Sequence, residues 1–228
     1  MLEIKQLSQT FGKKHALKNV SFTVNRGEIT CLIGTNGSGK TTIMNAIMQL
    51  FPVTKGEVLL DGKAIKHQDF ERIIYIPDEV AVLKSWTIQE ALDFMATFYK
   101  GYNARRAAEL LEFFKLNRDD KIASLSKGTV AKVNLVMGLS VDCEYILMDE
   151  PFTGIDSLAR EQIAQVFTTQ LIEDRAVLIS THEVHEIEHL VDKVVHIQDG
   201  ELLGEYDLEL LRLNEGKGIA DLLREASL

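Results

Sequence analysis

Hydrophobic residues follow two rhythms along this chain. At 18–24, Val20, Phe22 and Val24 alternate with polar neighbours, the period-two pattern of a half-buried strand. Residues 2–7 read as a similar short strand, with polar turns around both. The runs 28–33, 73–76, 145–148, 176–180 and 193–198 are short and largely apolar, as strands covered on both faces are. The strand at 56–62 ends in the turn dipeptide Asp61-Gly62, Pro77 stops 73–76, and Asp199-Gly200 turns 193–198 back into a strand at 201–206. Helices are predicted at 41–48, 157–172 and 183–190. Strands alternating with helices predict a mainly parallel sheet covered by helices.

From about residue 87 to 139 the rhythm is helical. Ala91, Leu92, Met95 and Phe98 share one face, and Ala107, Leu110, Leu111 and Phe114 another. Because strands resume at 145, this stretch reads as a helical insert, with Trp86 expected in its core. The tail from Asp207 reads as helical and polar.

Composition changes little. The 228 residues suffice for one large domain, and 46% hydrophobic with 26% charged residues is ordinary for a soluble protein. The net charge of −9 speaks against a broad nucleic-acid surface. The longest apolar stretch, 133–141, is interrupted by Asn134 and Ser140 and is too short to span a bilayer. No basic segment followed by an apolar run opens the chain, so no secretion signal is expected. Cys31 and Cys143 are isolated, without metal-ligand spacing, and are expected to be unpaired core residues. A cytoplasmic protein is expected.

The strongest chemical signal is Gly34-Thr35-Asn36-Gly37-Ser38-Gly39-Lys40-Thr41, followed by Thr42. Glycine, four residues, glycine, lysine and a hydroxyl residue, set between a strand and a helix, form a phosphate-binding loop. Glycines let backbone N–H groups converge on an anion, and the helix N-terminus adds partial positive charge. Lys40 can reach terminal phosphates, and Thr41 can offer its hydroxyl to Mg²⁺.

The second signal is a strand, 145–148, running into Asp149 and Glu150. Ligands of open parallel sheets bind beyond the carboxyl ends of the strands, so both carboxylates are expected near the phosphates. The pleat is expected to send them to opposite faces and into different roles. Asp149 suits Mg²⁺, directly or through water; Glu150 suits a general base for the attacking water. The third signal is Thr181-His182-Glu183 at the end of another apolar strand. His182 is then expected on the same rim, to orient the water or contact the γ-phosphate.

With these residues in hand, the chain resembles the nucleotide-binding subunits of ABC transporters over nearly its whole length. Gly34 to Thr41 is similar to the Walker A loop, and 145–149 to the Walker B strand with Glu150 as the catalytic glutamate. Leu125-Ser126-Lys127-Gly128-Thr129 resembles the signature motif, Thr153-Gly154-Ile155-Asp156 the D-loop, and His182 the switch histidine. The resemblance implies a P-loop NTPase (RecA-like) α/β core with a mainly parallel sheet, an N-terminal antiparallel β subdomain and an inserted α-helical subdomain. One ABC ATPase domain would then cover 1–228: core and β subdomain at about 1–84 and 141–206, helical subdomain at about 85–140, tail at 207–228. It also implies ATP and Mg²⁺, Phe11 against adenine, and a homodimer or heterodimer of ATPase subunits meeting head to tail. Ser126 can cap the helix that follows it. The resemblance adds that Ser126 and Gly128 face the ATP held by the second copy, with Asp156 nearby.

Three positions depart from the family pattern. Lys127 stands where the signature usually has glycine, and Thr129 where it has glutamine. After Pro77 the family usually has glutamine; this chain has Asp78, then Glu79. An ionised carboxylate only accepts hydrogen bonds, so Asp78 either touches Mg²⁺ or serves coupling to a membrane partner. A separate transmembrane permease subunit is implied, with Asp78, Glu79, Leu83 and Trp86 as contacts, which would hold the chain on the inner face of the membrane. The Ser-Lys-Gly and Pro-Asp-Glu segments resemble bacterial exporters of drugs, antibiotics or peptides. The alternatives are a soluble ABC-type ATPase acting on nucleic acid or the ribosome, and a nucleotide-binding regulator with little turnover. The acidic single cassette speaks against the first, and Glu150 with His182 against the second.

Overall fold

The structure is a computed structural model and describes residues 1–167, 174–182 and 188–225. Two sheets and a set of helices build it. In chain order the elements are β1 (Leu2–Phe11), β2 (Lys14–Val24), β3 (Ile29–Ile33), α1 (Lys40–Ile47), β4 (Lys55–Leu60), β5 (Lys63–Ala64), β6 (Ile73–Ile76), α2 (Ile88–Phe98), α3 (Ala104–Phe114), α4 (Lys127–Leu139), β7 (Tyr145–Asp149), α5 (Ser157–Val166), β8 (Ala176–Thr181), β9 (Lys193–Gln198), β10 (Glu201–Asp207), α6 (Leu208–Glu215) and α7 (Ile219–Glu225).

The smaller sheet is antiparallel, in the order β2-β1-β4-β5; the larger runs β10-β9-β3-β8-β7-β6 and is parallel except for β10. In the larger sheet Ile33 stands opposite Thr181, and Asp149 opposite Ser180. The carboxyl ends of β3, β7 and β8 therefore share one rim.

Strand alternation splits the interior into two cores. Ile146, Met148, Val177 and Ile179 point to the side packed by α2, α3, α4 and α5. Tyr145, Leu147 and Leu178 point to the other side, where α1 lies with Leu2, Ile4, Val20 and Phe22 of the small sheet. Ile43, Met44 and Ile47 of α1 are fully buried there. Full burial on both faces is why these strands read as continuous apolar runs.

Several expectations are corrected. β1 and β2 are longer than 2–7 and 18–24 and form one hairpin; the added residues, 8–11 and 14–17, are mostly polar and carry no apolar rhythm. Phe98 does not join Ala91, Leu92 and Met95 in the core; it is 68% exposed at the last turn of α2 and stacks on Phe94 at 4.7 Å. The tail is not merely polar: Leu208, Leu211, Ile219 and Leu222 are buried in the core. The helix expected at 157–172 is present to Val166; 168–173 lie outside the described residues. Most of the helix expected at 183–190 also lies outside them, and residues 188–190 form a turn. Both Asp-Gly turns have positive φ at both residues, 51° and 74° at Asp61-Gly62 and 49° and 79° at Asp199-Gly200, as tight hairpins require. Cys31 and Cys143 are free; burial raises both thiols, Cys143 to about 11.

Candidate functional site

The loop between β3 and α1 is shaped by backbone that only glycine adopts cheaply. Gly37 and Gly39 have φ of 83° and 114°. A Cβ on Gly39 would stand 2.7 Å from Leu17 Cδ2, and one on Gly34 would collide with the Ile197 carbonyl. Neighbouring elements clamp the loop: Gly200 N–H donates to the Ser38 carbonyl at 3.0 Å, and Lys18 N–H donates to the Gly200 carbonyl at 2.7 Å. Thr35, Asn36, Gly37 and Thr41 are exposed, Thr42 is half-buried, and Ser38 is buried. Lys40 is buried, its Nζ donating to the carbonyls of Gly34 at 2.9 Å and Thr35 at 3.3 Å.

These residues fit a phosphate group. Ser38 Oγ is buried without a hydrogen-bond partner among the described residues, and no acidic side chain occupies the first turn of α1. A buried hydroxyl, an ammonium and a helix N-terminus converging on one point favour an anion.

Across the rim, Asp149 is 4% exposed. Ser180 Oγ donates to its Oδ1, and Tyr75 OH donates to its Oδ2 at 3.2 Å. Burial, then the Asp149 carboxylate, holds the Tyr75 hydroxyl firmly protonated, so it stays a donor. Glu150 is not aimed by the pleat, as the alternation suggested. The strand ends at Asp149, and Glu150 takes the left-handed conformation, φ 49°, fixed by its N–H donating to the Ser180 carbonyl at 2.9 Å. Non-glycine residues hold that conformation only where their surroundings impose it. Here the turn swings the carboxylate toward the loop: Oε1 lies 3.2 Å from Lys40 Nζ, and Oε2 lies 2.9 Å from His182 Nδ1 and accepts from Thr153 Oγ1 at 3.0 Å.

Lys40, Glu150 and His182 are thus brought together, with Asp149 alongside on the rim. Asp78 lines an adjoining cleft with Lys127, Glu150 and Thr153. Burial raises the Asp78 carboxyl; Lys127 opposes the shift, while Asp149, Glu150 and Glu79 add to it. The described residues contain no cluster of three His, Cys, Asp or Glu side chains placed to hold a metal ion.

The other expected residues lie further out. Phe11 sits at the tip of β1, 48% exposed, edge-on to Phe51 at 5.2 Å. Ser126 accepts from Thr129 N–H at 3.2 Å and caps α4. Asp156 caps α5 through Ala159 N–H at 2.9 Å, and its Oδ2 is 3.5 Å from where a Cβ on Gly128 would lie. Trp86 is half-buried against Phe94 at 5.7 Å. Sequence reasoning missed Tyr75, Thr153 and Ser180 as partners of the two carboxylates; a hydroxyl at the rim end of an apolar strand was the available signal for Ser180.

A parallel sheet with a glycine-rich loop and a strand-end carboxylate pair on one rim defines a P-loop NTPase. More narrowly, the chain belongs to the ABC transporter family, whose model matches residues 17–153. It is 32% identical over 215 residues to the ABC transporter ATP-binding protein YtrB of Bacillus subtilis, covering 93% of this chain and 74% of that one. It is 28% identical over 211 residues to the lantibiotic transport ATP-binding protein SrtF of Streptococcus pyogenes, covering 91% and 92%. The structure of an ATP-binding subunit of an ABC transporter superposes with a TM-score of 0.88 at 28% identity, covering 100% of both chains. A bacterial ABC transporter cassette solved as a dimer gives 0.80 at 26% identity, covering 91% and 99%. The chain is therefore an ATP-binding subunit of an ABC transporter, in a family of ATPases that dimerise and work with membrane partners. No helix among the described residues is long and apolar enough to cross a membrane.

Proposed function

We propose that this chain hydrolyses ATP with Glu150 as general base, in a cassette pair that drives a separate membrane subunit exporting a drug, antibiotic or peptide. The observation that carries the chemistry is the Glu150 carboxylate, held at once by Lys40, Thr153 and His182. Such a carboxylate is pre-oriented to accept a proton from water. His182 orients that water. The backbone N–H groups of residues 34–42 and Lys40 bind the phosphates, and Phe11 stacks on adenine. Thr41 and Asp149 hold Mg²⁺, with Asp78 as a further contact; Mg²⁺, when bound, offsets the charge of the β- and γ-phosphates. Ser126, Gly128 and Asp156 close the partner's nucleotide site.

A groove lined by Pro77, Val82, Phe94 and Tyr99, with exposed Leu83 and Phe98 nearby, supports a docking site for the membrane subunit. That contact would hold the chain on the inner face of the membrane. The name of SrtF supports a peptide antibiotic as the class of cargo. Whether the pair holds two identical subunits is read from the species that assembles with ATP.

Glu150→Gln tests the chemistry. ATP binding is retained, turnover falls at least about a hundredfold, and a dimer persists with ATP. Turnover within about twofold of the parent would remove Glu150 as the base. Mg²⁺-dependent activity that survives Asp78→Ala would exclude Asp78 as a metal contact.

A further inference from the structure

The tip of the β1–β2 hairpin is supported on one side by something other than a strand. β1 pairs with β2 as far as Phe11 opposite Lys14, but its pairing with β4 ends at Ser8 opposite Lys55, the first residue of β4. Beyond that point only a two-stranded ribbon is left, which is marginal by itself. Residues 51–54 take over the support through side chains. Thr54 N–H donates to Gln9 Oε1 at 2.9 Å, Thr54 Oγ1 donates to the same oxygen at 3.3 Å, and Thr10 N–H donates to Thr54 Oγ1 at 3.2 Å. Gln9 is buried, so this latch satisfies an amide oxygen that water does not reach. Beside the latch, Phe51 meets Phe11 with ring centroids 5.2 Å apart and planes at 83°.

The two rings are held differently. Phe51 is half-buried and packs against the core beneath the small sheet, whereas Phe11 is exposed. A perpendicular contact covers at most one face of Phe11 and leaves the other for a flat ligand. It also restricts a ring whose ordering would otherwise be charged to ligand binding. Phe51 is carried in turn by α1. That helix ends at Ile47, and Gln49, with φ 53°, turns the chain. Leu50 N–H donates to the Asn45 carbonyl at 3.0 Å, and Gln49 Nε2 donates to the Ile65 carbonyl at 3.2 Å. The helix that starts at the phosphate loop thus presents, just past its other end, the ring that Phe11 rests on.

We propose that Phe51 is a positioning residue for the nucleotide base: its edge-on contact holds the Phe11 ring in the orientation that stacks on adenine. The inference rests on Phe11 stacking on adenine. It places the support of the base and the binding of the phosphates at the two ends of one helix.

The test is steady-state ATPase kinetics on the full chain with its membrane partner. Phe51→Leu keeps apolar bulk against the core, and with it the fold, but loses the aromatic contact. KM for ATP is expected to rise about threefold to tenfold, the worth of one aromatic pair, with kcat within about twofold, because uniform binding is what is lost. Phe51→Tyr keeps the ring and holds KM within about twofold of the parent. Phe11→Ala combined with Phe51→Leu has a KM no higher than Phe11→Ala alone, because Phe51 acts only through Phe11. An unchanged KM in Phe51→Leu, a loss carried by kcat as a weakened fold would give, a tyrosine variant as impaired as the leucine one, or additive losses in the double variant would each overturn the proposal. If Phe11→Ala itself leaves KM unchanged, the reading of Phe11 fails; if it raises KM while Phe51→Leu does not, only this inference fails.

Discussion

Lys40 Nζ and Glu150 Oε1 stand 3.2 Å apart, and neither side chain is more than 13% exposed. The lysine of the glycine-rich loop and the carboxylate facing it are thus one buried pair, tied by the left-handed turn at Glu150. A buried pair is costly to break from one side, because the remaining charge loses its partner. Lys40→Ala is therefore expected to raise the Kd for ATP at least about tenfold, the effect of losing one charge-assisted hydrogen bond. Isothermal titration with ATP measures it, and an unchanged Kd would remove Lys40 from phosphate binding.

Tyr75→Phe removes one of the two hydroxyl donors on Asp149 while keeping the ring. A buried carboxylate left with one donor is less well held, by about 1–2 kcal/mol. The expected result is a several-fold higher Mg²⁺ requirement for turnover. Activity measured across a Mg²⁺ series checks it; an unmoved requirement would make the Tyr75 bond incidental.

Gly138→Ala probes the seat of α4. A Cβ there would run into the Ile76 side chain of β6, which ends one residue before Pro77. Overpacking of this kind costs about 1–3 kcal/mol. A urea midpoint lower than the parent's is expected; a midpoint equal or higher would mean that Ile76 yields freely.

Legibility in the sequence differed by cause. The strands of the larger sheet were readable because burial on both faces leaves unbroken apolar runs, as at Ile146, Leu147 and Met148. The outer hairpin of β1 and β2 was not, because Thr10, Lys14 and His15 pair through backbone while their side chains meet water. Gly34 to Thr41 and the pair Asp149-Glu150 announced themselves by spacing. The direction of Glu150 did not, because a left-handed backbone at a non-glycine residue leaves no mark in composition. Tyr75 and Ser180 were hidden for another reason: their partner is set by strand order, and neighbouring strands here are distant in sequence.

Far from the nucleotide rim, Asp61 accepts from Arg72 at 2.5 Å and from Arg26 at 3.4 Å. Hydrogen bonds from Arg72 and the amino terminus hold its carboxyl well below the usual range. A depressed folded-state pKa contributes stability above the unfolded value and loses it as pH falls through the folded one. Since Asp61 is 42% exposed, the contribution is only about 0.5–1 kcal/mol. Asp61→Asn should cost about that much at neutral pH, with the gap closing below about pH 4. Denaturant melts at several pH values test this, and a gap that does not shrink in acid would refute it.

The clamp of Gly200 on Ser38 has a kinetic side. The phosphate loop is encoded near the start of the chain, yet the hairpin turn that braces it comes close to the end. Contacts between such distant positions form late, after the loop-closure entropy of the intervening chain has been overcome. A nascent chain that has exposed Gly34 to Thr41 but not yet β9 and β10 has the motif without its brace. Competence to hold ATP is then acquired near the completion of folding, and nucleotide capture during refolding reports the docking of the last strands.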